Sequence, residues 1–263
     1  MPREKFLGSG PWHIAVPDLL TGSVQYVPTP DADPRRVYHN VVIVLDRSRD
    51  LTNGQPGTLA HYINALELSP GDSVYHMGAG AGYYTAIMAE VVGPSGKITA
   101  SEVHSELGLL AKQNLANWSN VKIHSVDGSQ FDPGECDAIL INAGVTHPLP
   151  LWLDRLREGG RLLVPITVPM GPNLGKGVML KVTRHTNGYA AHYVSFVAIY
   201  SAIGIRDQRL EPALGQALAM GGLMKVKSIR RDQHAPNDNC VVHGTDICLS
   251  LEAVTSSATA SVQ

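Results

Sequence analysis

The stretch "VYHMGAGAGYYTAIMAE", Val74 to Glu90, decides the reading of the fold. An apolar run suited to a strand ends at Met77, three glycines follow within five positions (Gly78, Gly80, Gly82), and a helical pattern begins at Tyr84. A strand that turns through bare backbone into a helix leaves main-chain N–H groups open to a ligand. The spacing, G-x-G-x-G, is one residue tighter than the G-x-G-x-x-G of dinucleotide folds, whose third glycine makes room for a pyrophosphate. That difference favours a nucleoside lacking the pyrophosphate.

Working outward, strands and helices alternate. Strands are predicted at Ser73 to Met77, Lys97 to Ser101, Val121 to Ser125, Ala138 to Asn142 and Gly160 to Pro165, and helices at Tyr84 to Val92, Glu106 to Trp118 and Pro150 to Leu156. Such an α/β pattern predicts a parallel sheet covered by helices, with ligands beyond the carboxyl ends of its strands. Upstream, Thr58 is placed to cap a helix carrying Leu59, Tyr62, Ile63 and Leu66. After Pro165 the rhythm changes. Lys176 to Tyr200 reads as two strands around a turn at Asn187-Gly188, an antiparallel hairpin that would close the sheet's edge.

The expected organisation has four parts. Residues 1–50 form an N-terminal arm and substrate-side segment, in which 1–36 are proline-rich and irregular, Val37 to Leu45 is a β-branched run and a polar loop, Asp46 to Gln55, begins. Residues 51–200 form the ligand-binding domain, and 201–254 an α+β extension with a helix over Arg206 to Gly222 and a strand pair ending at Leu251. Residues 255–263 read as a disordered tail.

Composition narrows the function classes. With 44% apolar and 17% charged residues, the 263-residue chain is an ordinary globular protein and not a disordered one. A net charge of −2 gives no general attraction for a polyanion, which disfavours a nucleic-acid partner. No stretch reaches the roughly 18 apolar residues of a membrane span, and the N-terminus lacks a secretory signal's apolar core, so a cytoplasmic location is expected. Three scattered cysteines, Cys136, Cys240 and Cys248, argue against a disulfide framework.

Successive strand ends supply a ligand set. Glu102 follows the second predicted strand, where an acid can accept from both ribose hydroxyls; Asp127-Gly128 follows the third, with Asp127 placed to accept from an exocyclic amine such as adenine N6. Asn142 closes the fourth. Each alone has a bland reading as a turn, a helix entry or close packing. Together with Ala79, Tyr83 and Val103, they and the glycines outline one bound adenosine.

The segment "GDSVYHMGAGAGYYTAIMAEVVGPSGKITASEVHSELG", with "VDGS", "CDAILINAG" and "WLDRLREGGRLLVPI", resembles the protein L-isoaspartate O-methyltransferase family of class I S-adenosylmethionine-dependent enzymes. The resemblance spans roughly Thr52 to Tyr200. It implies a Rossmann-like methyltransferase sheet, mostly parallel and closed by the hairpin, and S-adenosyl-L-methionine as cofactor. It also implies that Gly78, Gly80 and Gly82 face the cofactor's amino acid end, Glu102 its ribose, and Asp127 and Gly128 its adenine. One departure bears on the acceptor. Thr52-Asn53-Gly54-Gln55-Pro56 aligns with a Thr-Ile-Ser-Gln-Pro type stretch, so Gly54 stands where the family carries an active-site serine. The residues after Tyr200 also lie outside the family's usual core.

A methyl sulfonium needs only an aligned nucleophile and exclusion of water; a carboxylate acceptor arrives ionised, whereas a phenol or amine calls for a base. Candidate acceptor-side residues are Gly54, Gln55, His61 and His147, with Asp46, Arg47 and Arg49 as a second set able to hold a carboxylate. His76, within the first strand, reads as a packed core residue. Cys240-x-x-His243 with Cys248 offers three ligands, too few for a closed tetrahedral site, so no metal is expected. The expected activity is O-methylation of a carboxylate on a peptide or small metabolite, without membrane or nucleic acid; a homodimer is allowed. The alternatives are isoaspartate repair and a non-catalytic cofactor-binding or partner-binding module.

Overall fold

Val74, Tyr75 and His76 are fully enclosed in β5 (Ser73–Met77), the strand from which the first half of the chain is organised. The computed structural model describes residues 1–17 and 24–255. The chain divides into two compact units, Met1–Pro133 and Gly134–Gln263.

In the first unit β5 is followed by α2 (Tyr83–Val92), β6 (Lys97–Ser101), α3 (Ser105–Asn114) and β7 (Val121–His124). β5 and β6 pair in parallel from Ser73↔Lys97 to Met77↔Ser101, and β6 and β7 from Ile98↔Val121 to Ser101↔His124. Gly93, at φ 67°, ends α2 with its N–H on Ala89 O at 3.0 Å. α3 stops four residues short of the predicted Trp118. Its last residue, Asn114, donates Nδ2–H to Ala81 O (2.9 Å) and so ties the helix end to the glycine corner.

Residues 1–36 differ from the irregular arm predicted for them, whereas the β-branched run from Val37 to Leu45 does contribute to a strand. β1 (His13–Pro17), β2 (Val24–Pro28), β3 (Val42–Asp46) and β4 (Leu51–Thr52) form an antiparallel sheet in the order β2-β1-β3-β4. The prolines that suggested irregularity delimit strands: Pro17 ends β1 and Pro28 ends β2. β4 falls inside the predicted polar loop, and α1 (Pro56–Ala65) begins two residues before Thr58. Pro56 supplies a preset φ and has no N–H to leave unpaired, so it starts the helix better than a threonine cap would. The buried stripe of α1 is as predicted, through Leu59, Tyr62 and Ile63.

The second unit carries β8 (Cys136–Ile141), α4 (Pro150–Arg155), β9 (Leu156–Pro169), β10 (Leu174–His185), β11 (Gly188–Tyr200) and α5 (Glu211–Ala219), then β12 (Ser228–Arg230), β13 (Cys240–His243) and β14 (Cys248–Ser250). Its strands lie in the order β13-β14-β12-β11-β10-β9-β8, with β8 and β9 parallel and the others antiparallel. The hairpin forms one residue earlier than its sequence signal. Thr186-Asn187 make the loop, His185 pairs with Gly188, and that glycine opens β11 at φ 143°. α5 is shorter than predicted, and three strands stand where a pair was expected. Of the predicted tail, residues 256–263 lie outside the described residues. Among the described residues no helix is long and apolar enough to cross a membrane.

Candidate functional site

Gly78, Gly80 and Gly82 adopt φ of 82°, 55° and 89°, left-handed values that side-chain-bearing residues rarely take. The corner is held by main chain. Gly78 and Ala79 donate their N–H groups to Ser101 O at 2.9 and 3.1 Å, and Gly82 donates to Ala79 O at 2.9 Å. Gly80 N–H donates to Glu102 Oε2 (2.8 Å), and His104 N–H to Glu102 Oε1 (3.0 Å). Glu102, only 5% exposed, is thus clasped at the end of β6 by two backbone donors. A carboxylate has about four acceptor sites. These two bonds leave capacity on both oxygens, as a vicinal diol requires.

The glycines divide by role. At Gly80 an added Cβ would meet only Leu45 Cδ1, at 3.6 Å, so space is open there. At Gly82 it would lie 2.7 Å from Leu115 Cδ1, and that glycine serves the packing of α2 on the residue after α3. Gly128 is likewise a packing glycine: a Cβ would fall 2.5 Å from Met77 Cγ and 2.7 Å from Tyr75 Oη, whose hydroxyl bonds Ser101 Oγ and Gly128 O. Tyr83 stacks edge-on against Phe6 (5.4 Å) and Tyr84 (5.1 Å), which makes it part of the core beneath the corner. Val103 and Val126 remain 46% and 40% exposed just past β6 and β7, uncovered apolar side chains at neighbouring strand ends. Asp127 is exposed and caps its own turn, Oδ1 accepting from Ser129 N–H at 2.9 Å. An acid able to take a diol, flanking apolar side chains and an open glycine are a donor set that fits an adenosyl group.

On the acceptor side the predicted residues are mostly engaged locally. Gly54 has φ 63°, and its carbonyl accepts from Arg3 Nη2 at 3.1 Å. Gln55 spends its amide on both sides, Nε2 donating to Asn40 O and Oε1 accepting from Thr58 Oγ1, each at 3.0 Å. His61 is exposed on α1. Arg49 bonds Asp46 (2.6 Å) and Glu106 (2.5 Å), and Arg47 lies over the Tyr26 ring, so this loop is a surface charge cluster. His76 is the core residue expected: Nδ1 meets Thr85 Oγ1 at 2.9 Å, Nε2 is buried without a partner among the described residues, and burial pushes its pKa down to about 4.

Two residues that sequence reasoning passed over stand out. Arg3, 2% exposed, donates to Val37 O (2.9 Å), Val41 O (3.0 Å) and Gly54 O (3.1 Å), pinning the chain's start to the Gly54 loop. Nothing local in "MPREKF" signals this, because every partner is more than 30 residues away. The other is His234, considered below.

In the second unit Asn142 is half-buried just past β8. His147 is also half-buried, with Nδ1 2.9 Å from Thr146 Oγ1; desolvation lowers its pKa while Asp207 and Asp246 oppose that shift. Cys240, His243 and Cys248 do converge, and His234 joins them.

The sequence matches the model of the protein-L-isoaspartate(D-aspartate) O-methyltransferase family over residues 24–204. The protein-L-isoaspartate O-methyltransferase of Ignicoccus hospitalis is 32% identical over 142 residues, covering 52% of this chain and 65% of that protein. That of Pyrobaculum neutrophilum is 30% identical over 158 residues, covering 57% and 74%. The chain therefore spans just under two thirds of the first of these relatives and about three quarters of the second. A solved protein-L-isoaspartate O-methyltransferase superposes with a TM-score of 0.65 at 24% identity, covering 81% of this chain and 62% of that one, which shows the same Rossmann-like class I methyltransferase fold. A Plasmodium falciparum structure given the same name, in complex with S-adenosyl-L-homocysteine, reaches 0.52 at 21% identity, covering 63% and 81%.

Proposed function

This chain belongs to the protein-L-isoaspartate(D-aspartate) O-methyltransferase family, a family of S-adenosylmethionine-dependent enzymes, and on that premise we propose that it methylates a carboxylate oxygen of a peptide or small metabolite. The observation that carries the cofactor side of the reading is Glu102, buried at a strand end with acceptor capacity to spare, and the carboxylate acceptor is supported by the family match. In this reading Glu102 takes the ribose hydroxyls, Val103 and Val126 flank the base, Asp127 accepts from its exocyclic amine, and Gly80 lets the ligand approach the main chain. When bound, S-adenosylmethionine supplies an electrophilic methyl group on a sulfonium. The chain's own work is to align the acceptor and keep water out.

A carboxylic acid with an ordinary pKa of about 4 is ionised at neutral pH and needs no base. The first unit's residues suit that: His61 is in solvent, and His76 is buried and neutral. Gly54 brings no hydroxyl to the acceptor loop, which supports an acceptor other than the isoaspartyl group named for the relatives. The test supplies labelled S-adenosylmethionine to the full chain with isoaspartyl peptides, aspartyl peptides and small dicarboxylates. The expected product is a base-labile ester that releases volatile methanol. A base-stable product, or no transfer to any carboxylate while S-adenosylhomocysteine binds, would overturn the reading. The relatives' names favour a second reading, isoaspartyl repair; it stands if isoaspartyl peptides outcompete every other carboxylate in the same assay.

A further inference from the structure

His234, Cys240, His243 and Cys248 each place one ligand atom so that all four lie within 4.8 Å of one another. In sequence they are spaced H-x5-C-x2-H-x4-C. β13 supplies Cys240 and His243, β14 supplies Cys248, and the segment after β12 supplies His234. Strand pairing brings them together: His243 is the partner of Cys248 across the hairpin, and a register shift lies between Cys240 and Val242. Cys240 Sγ is 3.5 Å from His234 Nε2, and the two imidazole rings are 4.7 Å apart at 77°.

As neutral groups the thiols make only long contacts, Cys240 Sγ 3.6 Å from Asn237 Oδ1 and Cys248 Sγ 3.7 Å from Leu249 O. Thiols are weak donors and weak acceptors. Cys248 is 1% exposed, and His243 Nδ1 is buried with no hydrogen-bond partner among the described residues. An unsatisfied buried polar atom costs roughly 1–3 kcal/mol. A borderline-soft divalent cation with a tetrahedral habit would satisfy all four at once. Bonds of about 2.3 Å to sulfur and about 2.0 Å to nitrogen put tetrahedral ligand atoms roughly 3.3–3.8 Å apart, so a contraction of about 1 Å at the widest edge closes the cluster.

The surroundings fit a metal's outer shell. His234 turns Nε2 towards Cys240 because its Nδ1 is held by Asp232, 3.0 Å from the backbone carbonyl and 3.2 Å from Oδ2. A carbonyl or carboxylate behind a ligating imidazole fixes its tautomer and orientation. Asn237 N–H points at Cys240 Sγ from 3.5 Å, a donor that stabilises a thiolate. We propose that these four residues form a closed Cys2His2 zinc site that staples the β12–β14 end of the second unit's sheet. With four protein ligands there is no open position, so the site is structural. Loading releases the two thiol protons to solvent and gives a neutral centre. A staple answers a need. β12, β13 and β14 are only three, four and three residues long, and β12 holds β11 through just two paired positions.

The experiment uses the full chain, purified under reducing conditions without chelator, with zinc counted by elemental analysis. It is then stripped and titrated with Co2+. About one zinc per chain is expected, together with visible cobalt bands of tetrahedral intensity and a near-ultraviolet thiolate-to-metal band. That spectrum reports the ligand set without any variant, so misfolding of a mutant cannot blur the outcome. Cys240→Ser and Cys248→Ser should each weaken the thiolate band, and His234→Ala should weaken zinc binding by more than the roughly 10- to 100-fold that loss of an outer-shell partner costs. Asp232→Ala should fall within that range, and Cys136→Ser should leave stoichiometry and spectrum unchanged. The proposal is overturned by a reduced full chain that takes up neither metal, by metal retained equally in all the ligand variants, or by a Cys240–Cys248 disulfide whose reduction restores no metal binding.

Discussion

The glycine corner after β5 and the hairpin of β13 and β14 both bury polar groups at the ends of strands, and they satisfy them in opposite ways. At the corner the main chain does it: Gly80 and His104 N–H groups clasp Glu102, and Ser101 O receives Gly78 and Ala79. At the hairpin the side chains meet one another, and a ring nitrogen of His243 is left without a partner among the described residues. The first arrangement is complete as protein and offers its spare capacity to a ligand. The second would be completed by the cation proposed above. His76 is intermediate in character: one nitrogen is on Thr85, and among the described residues the other has no partner and no cluster of ligand-bearing side chains includes it. Burial, and not a ligand, keeps that histidine neutral.

If the corner is built by main chain, a single methyl group should damage it most. Gly82→Ala places a Cβ at φ 89° and 2.7 Å from Leu115 Cδ1. Left-handed strain of about 1–2 kcal/mol and overpacking of about 1–3 kcal/mol add to a loss of roughly 3 kcal/mol. Urea unfolding midpoints measure it, and an unchanged midpoint would mean the corner is looser than its φ values imply. Glu102→Ala tests the spare capacity. Two charge-assisted hydrogen bonds to a ribose, about 1.5 kcal/mol each, amount to roughly 100-fold weaker S-adenosylhomocysteine binding by calorimetry. A change under about threefold would remove Glu102 from the site.

The lone histidine gives a pH signature of known sign. Its folded pKa of about 4 lies below the ordinary histidine value of 6.5, so between these values the unfolded chain binds a proton that the folded one refuses. Stability from His76 is therefore complete above about pH 6.5 and is lost as pH falls towards 4. Going from pH 7 to pH 5 should cost about 2 kcal/mol. His76→Gln carries no proton in either state, so the difference between its pH dependence and the parent's isolates this term. Parallel slopes for the two proteins would mean that His76 takes up its proton as readily in the fold as in the unfolded chain.

The same contrast governs what could be read from the sequence. β5 and β6 were predicted to the residue, because an apolar run broken by Gly78-Ala79-Gly80-Ala81-Gly82 is a local signal, and Glu102 followed from its place at the next strand's end. Arg3 was illegible, since the carbonyls it bonds are brought to it only by the folded N-terminal sheet. The prolines there misled for a related reason: pairing decides whether proline ends a strand or abolishes it, as His13↔Pro28 illustrates. In the hairpin, three of the four clustered residues were visible as Cys240, His243 and Cys248. The fourth, His234, is six residues upstream in an irregular segment, and only the pairing of β12 with β14 returns it to the group.

The smallest expected effect concerns the loop that separates this chain from its relatives. Gly54→Ser restores the hydroxyl that the family resemblance places there, but at φ 63° a side chain costs about 1 kcal/mol. Its Cβ would come within 3.0 Å of Leu59 Cδ2, the movable end of a side chain, so packing adds little. A urea midpoint lower by the equivalent of about 1 kcal/mol is expected, with no rise in isoaspartyl methylation. Arg3 holds the Gly54 carbonyl, and the left-handed backbone aims any new side chain at Leu59. Should the variant instead gain isoaspartyl turnover with stability unchanged, the loop would already hold the relatives' conformation, and the acceptor difference would reduce to one missing oxygen.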